Sequence, residues 1–215
     1  MRRLALLIPA LLLFATQNAS AQSAPERDSN WAKVSTVSLA IGVGTELLMP
    51  RVFYADPEVT VGWKARWHVS VLAPSMTLLA LAALNEYSLK DSFEGYRPGC
   101  NDDNKGIPEC KTYGMMSTHA YGAFAALGQG AAVFLFDTTK WSHGKINAGS
   151  IVGHVAVPLV SAGLTAIARG QSNYETTGQI LAGGGAGLVT GFLMGTAYAL
   201  MQRPECGYSG SLICW

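Results

Sequence analysis

Charge is what this sequence has least of. Only 13% of its residues are Asp, Glu, Lys or Arg, against ~25% in an ordinary soluble domain. The 15 basic and 14 acidic residues leave a formal net charge of +1. No basic stripe is present to hold nucleic acid, which excludes that class of partner. Histidine is also scarce, with four in 215 residues. None stands at a zinc-type spacing from a cysteine, so no metal site is expected. The four cysteines fall into two local pairs, Cys100 with Cys110 and Cys206 with Cys214. They can form short disulfide loops in an oxidising compartment or remain free thiols.

Apolar residues take the place of charge. They make up 49% of the chain, and the mean hydropathy is +0.23. The first 21 residues have the layout of a secretory signal peptide. Arg2 and Arg3 precede the apolar run Leu4 to Phe14, and Ala19-Ser20-Ala21 supplies a small-x-small cleavage pattern. The alternative is an uncleaved anchor, but the run is short of the ~20 residues a spanning helix needs. Residues 22–32 read as a polar linker, 33–204 as a helical domain and 205–215 as a cysteine-containing tail.

Within the helical domain five apolar stretches stand out, at 33–50, 67–89, 117–138, 147–168 and 177–202. Each has the length of a membrane-spanning helix. Gly, Ala, Ser and Thr are frequent in all of them, and the last carries Gly183-Gly184-Gly185-Ala186-Gly187. Such residues weaken a soluble helix but let helices pack closely in a bilayer. The expected fold is therefore all-α, a polytopic bundle of about five spanning helices. A soluble all-α domain is the alternative, favoured by Glu46 and His154 inside apolar stretches.

With a cleaved signal peptide the mature N-terminus starts outside the cytoplasm. Segments 51–66 and 139–146, which carry Arg51, Lys64, Arg66, Lys140 and Lys145, then fall inside, where positive charge is favoured. Segments 90–116 and 169–176 share the outer face. The same count places Cys206 and Cys214 on the cytoplasmic side, at odds with a disulfide there.

The outer segments hold the residues that can carry chemistry. Lys90 and Arg97-Pro98 follow the second stretch. Arginine grips two phosphate oxygens with its planar fork, and lysine adds a compact charge. Ser117 sits at the N-cap of the third stretch, where free N–H groups favour an anion, and His119 lies in the first turn. A histidine so placed can protonate a leaving alkoxide. Arg169 ends the fourth stretch, and Glu175 and Gln179 lead into the fifth.

Together these residues resemble the superfamily of type 2 phosphatidic acid phosphatases, bacterial acid phosphatases and vanadium haloperoxidases. Its first motif, Lys-x6-Arg-Pro, is matched by Lys90, Arg97 and Pro98. Its second, Pro-Ser-Gly-His, is matched at Ser117 and His119. Its third, Ser-Arg-x5-His-x3-Asp, is matched at Arg169 alone, with Glu175 in place of His and Gln179 in place of Asp. The resemblance implies phosphate binding by Lys90, Arg97, Ser117 and Arg169, with His119 as general acid and no metal or cofactor. It transfers no nucleophile, because the histidine that attacks phosphorus is missing. Glu175 is the substitute, as nucleophile or as base for a water, and Gln179 is a supporting residue.

The resulting expectation is a phosphatase in a bacterial cell-envelope membrane. Its site faces the periplasm and hydrolyses a lipid or isoprenoid phosphate or diphosphate monoester. The alternative is a member without turnover that binds an anionic lipid headgroup or serves a structural role.

Overall fold

A computed structural model describes residues 26–54, 62–66, 69–89, 95–104, 106–107, 110, 114 and 116–201. The signal-peptide segment, Lys90, His68, Cys206 and Cys214 lie outside the described residues.

Five helices dominate. Helix α1 spans Ser29–Leu48 and α2 spans Val69–Leu84, extended by a π turn at Asn85–Leu89. Helix α3 spans Thr118–Phe136 and continues through a π turn at Asp137–Trp141. Helix α4 spans Ala148–Gln171, with a π turn at Val152–Ala156, and α5 spans Thr177–Met201. Each of the five apolar stretches is therefore helical over most of its described residues. Three of the helices, α3, α4 and α5, are long and apolar enough to cross a membrane. Helix α1 carries Lys33 and Glu46, and the regular part of α2 has only 16 residues.

Local signals place the helix starts. The Asp28 carboxylate accepts from Asn30 N at 2.8 Å and Trp31 N at 3.2 Å, satisfying N–H groups that the first turn leaves open. Residues 29–32, read from composition as linker, thus form the first turn of α1. Ser117 accepts from Ala120 N at 3.1 Å and Asn147 from Ser150 N at 3.2 Å. Thr176 and Gln179 form a reciprocal capping box for α5: Thr176 N donates to Gln179 Oε1 at 2.8 Å and Gln179 N to Thr176 Oγ1 at 3.3 Å.

The hairpin was not expected. Strands β1 (Arg51–Tyr54) and β2 (Trp63–Arg66) pair antiparallel in a segment read as a charged loop. Val, Phe, Tyr and Trp give it strand character. Arg51 points inward, where its Nε donates to Asp137 Oδ1 at 2.9 Å and Oδ2 at 3.1 Å. Tyr54 N donates to Ser142 Oγ at 2.8 Å, so the hairpin closes the end of the bundle where α3 ends.

The helices alternate in direction. Glu46 and Thr36 of α1 meet Gly130 and His119 of α3, so these two run parallel. Ser75 and Asn85 of α2 bond Gln129 and Thr118 of α3, so α2 runs opposite to α3. Between α3 and α5 the approach is closest. A Cβ on Gly183, Gly187 or Gly191 would collide with the backbone oxygens of Ser117, Tyr121 and Ala125. Gly128 of α3 returns the contact against Leu188 and Phe192. The four-residue spacing keeps one bare stripe of α5 against α3, the packing that small residues permit in membranes.

Size is sorted from inside to outside. The buried apolar residues include Ala120, Ala123, Ala125, Ala132, Ala162 and Ala168, whereas Ile41, Val160, Leu164, Val189 and Leu193 are exposed. A soluble bundle buries its large aliphatics. A bundle in lipid gains nothing by doing so and places small residues between helices.

Two outcomes are expected from this packing. Gly187→Ala should cost roughly 1–3 kcal/mol by overpacking, read as earlier thermal unfolding in detergent. Gly185→Ala, with open space at its Cβ, should leave the transition unchanged. Separately, Arg51→Ala should destabilise by about 3–5 kcal/mol because it strands buried Asp137. The double variant Arg51→Met/Asp137→Leu should recover most of that loss.

Candidate functional site

Alternation places the starts of α1, α3 and α5 and the ends of α2 and α4 at one end of the bundle. Arg97, Ser117, His119, Arg169, Glu175 and Gln179 therefore share that end. Backbone bonds lock it together. Ser117 N donates to Gln179 O at 3.0 Å, Asp28 N to Ser172 O at 3.2 Å and Gly114 N to Gly95 O at 3.0 Å.

Gln179 does more than cap α5. Its Nε2 donates to Gly114 O at 2.5 Å and Gly95 O at 3.3 Å. Both halves of its amide are thus used, one for the helix start and one for the long loop that carries Arg97. This differs from orienting a neighbouring catalytic group, the task of the Asp it replaces in the resemblance. The loop has a second tie, a disulfide between Cys100 and Cys110 with Cα atoms 5.6 Å apart.

Arg97, Arg169 and Glu175 come together. Glu175 is held by Arg169 through two bonds, Nε to Oε2 at 3.0 Å and Nη2 to Oε1 at 2.9 Å. Both residues are buried, at 7% and 6% exposure, which makes this a desolvated, bidentate pair. Arg97 donates to Tyr174 O at 3.3 Å. Three guanidinium carbons surround the Tyr174 ring, Arg27 at 5.1 Å, Arg169 at 5.3 Å and Arg97 at 6.0 Å. Such distances lie within cation–π range. Pro98 follows Arg97 at the turn into the disulfide loop.

The arginines feel one another across the site. Burial first, then the positive charge of Arg27, hold the Arg97 guanidinium below the usual arginine range. Glu175 opposes that shift, Arg169 adds to it and Glu86 opposes it. Arg97 remains a cation at any ordinary pH.

The second-motif residues take other positions. Ser117 is fully buried and its hydroxyl oxygen caps α3. His119 turns toward α1, with Nε2 at 3.3 Å from Thr36 Oγ1. Thr118 links the two sides, since it donates to Glu86 Oε2 at 2.7 Å and accepts from Asn85 Nδ2 at 2.9 Å. Among the described residues no group of three or more His, Cys, Asp or Glu is placed to hold a metal ion.

Arg27 and Tyr174 escaped the sequence reading. Arg27 sits in a segment of mixed charge, and tertiary bonds of Asp28 N to Ser172 O and of Asn173 Nδ2 to Glu26 O bring it over the site. Tyr174 lies between two motif positions and has no motif role of its own. The capping box was legible as Thr-x-x-Gln.

If Gln179 anchors the loop, Gln179→Leu should leave the α-helical circular dichroism unchanged but speed amide exchange at Gly95 and Gly114 about tenfold or more. Unchanged exchange would remove the anchoring role.

No family model matches this chain, and no curated protein or solved structure matches it.

Proposed function

We propose that this protein holds the phosphate headgroup of a membrane lipid at the Arg27–Arg97–Arg169 cluster and does not hydrolyse it. The resemblance to the phosphatidic acid phosphatase superfamily rests on motif residues alone and enters as part of this proposal. In the proposed arrangement all five helices are embedded, and the cluster faces the extracytoplasmic side, with the disulfide loop in an oxidising space.

The observation that carries the reading is the bidentate grip of Arg169 on Glu175. Glu175 stands where the resembling enzymes have their nucleophile. To attack phosphorus, a carboxylate oxygen must be free and aligned. Here both oxygens are tied to the guanidinium that would bind the phosphate. Gln179 is committed to Thr176, Gly95 and Gly114, so the support for a nucleophile is also spent. A phosphate can instead meet Arg97 and Arg27, whose crowded positive charges an anion would relieve.

Purified protein would be heated with short-chain phosphatidic acid, and phosphate release followed in parallel. Protection that Arg97→Ala loses, with no release above the protein-free blank, is the expected result. Glu175→Gln should bind about tenfold more tightly, because it removes the internal anion that competes for Arg169. Steady phosphate release that disappears in His119→Ala would overturn the binding reading in favour of hydrolysis. No protection at all would remove the anion site.

A further inference from the structure

A cleft of about 280 Å³ lies between α1, α2 and α3. On α1 it runs from Thr36 to Glu46, ten residues or ~15 Å of helix. Leu39, Val43, Leu78, Leu79, Ala82 and Ala126 make its walls apolar. Its lining residues Thr36, Ala40 and Leu79 are exposed, so it opens between α1 and α2 onto the side of the bundle. That volume over that length leaves a mean section of roughly 20 Å². There is room for one extended hydrocarbon chain, and not for a second chain or a fused ring.

The two ends of the cleft differ. Glu46, Ser75 and Gln129 close the far end. Gln129 Nε2 donates to Ser75 Oγ, and Glu46 faces His154 of α4 and packs against Gly130. Thr36 and Thr118 form the near end, at the same end of the bundle as the arginines. Thr118 donates to Glu86 Oε2 at 2.7 Å, and Arg97 feels the charge of Glu86. Cleft and arginine cluster are thus linked through two residues. Between helices in lipid, packing contacts rather than water exclusion hold side chains together, so walls without a partner forfeit them. The material facing the open side of an embedded bundle is acyl chain. A chain entering there keeps its head at the arginine end and its tail toward Glu46.

We propose that the cleft seats one acyl chain of the phospholipid whose phosphate lies at the Arg27–Arg97–Arg169 cluster, with the other chain left in the bilayer. This rests on the headgroup reading above and adds a second, apolar point of recognition to it. Gly122 keeps the cleft clear, since a Cβ there would come within 3.0 Å of Leu39 Cδ1 and push that side chain across it. The closed end limits the buried part of the chain to about twelve carbons, at roughly 1.2 Å per bond of an extended chain.

The test uses the full-length protein in a neutral detergent and a phosphatidic acid carrying a diazirine midway along one dodecanoyl chain. After photolysis the crosslinked positions are read by peptide mass spectrometry. Crosslinks should concentrate at Leu39, Val43, Leu78, Leu79 and Ala126. Arg97→Ala should lower that labelling about fivefold or more, and so should a diacylglycerol probe with the same chains and no phosphate. Ala82→Phe, which narrows the cleft, should abolish it. Crosslinks only on outward residues such as Leu164, Val189 and Leu193 would overturn the cleft, and heat protection by phosphatidic acid that needs Arg97 would then leave the headgroup reading standing. Equal cleft labelling by both probes, indifferent to Arg97→Ala, would overturn the shared lipid by removing its phosphate from the arginines. Labelling that survives in Ala82→Phe also overturns the proposal, and if that variant does not fold the wild-type map decides alone.

Discussion

The bare contact between α3 and α5 sets the rest of the molecule. Gly183, Gly187 and Gly191 let two backbones meet with no side chain between them. That closeness fixes the relative height of the two helices to within a residue. It brings Ser117 N to Gln179 O, and from there the first turn of α5 can reach back to Gly95 and Gly114. Packing in the middle of the bundle therefore decides the geometry at its end. The link runs from residue size to helix distance to loop placement.

Charge is treated differently at the two ends. At the hairpin end Arg51 and Asp137 form a closed pair, one cation against one anion. At the other end Arg169 and Glu175 form a similar pair, but Arg27 and Arg97 stand beside it with Glu86. The first arrangement joins the hairpin to the end of α3. The second gathers Arg27, Arg97 and Arg169 with Glu175 and Glu86 around one aromatic ring. Buried pairs alone are weak evidence of function, so the contrast between the ends carries more weight than either pair.

Much of this was legible from residue order. Five apolar runs gave five helices, because a 20-residue run of small and apolar residues has few other ways to satisfy its backbone. The spacing of Arg97, Arg169 and Glu175 within alternating helices put them at one end. Two cysteines ten residues apart in one loop had little choice of partner. What was not legible depended on long-range contact. Arg27 reaches the site through the meeting of residues 26 and 28 with 173 and 172. The hairpin at 51–66 was hidden by its charges, since Arg51 is an inward residue whose partner is 86 positions away. Glu46 and His154 looked like evidence against a membrane fold when taken singly. Placed face to face at 3.4 Å, each explains why the other is tolerated.

Tyr174 ends up with a problem of accommodation. An aromatic ring has two faces, and three guanidinium groups surround this one. Arg169 is pinned by Glu175 on a helix end, and Arg27 is carried by a segment bonded to Ser172 and Asn173. Arg97 comes from a loop and is the farthest from the ring, at 6.0 Å. The three distances order the guanidinium groups, Arg27 nearest, Arg169 next and Arg97 farthest. Arg97 makes up for that distance through the backbone, since its guanidinium also donates to the Tyr174 carbonyl and so ties its loop to the same residue twice.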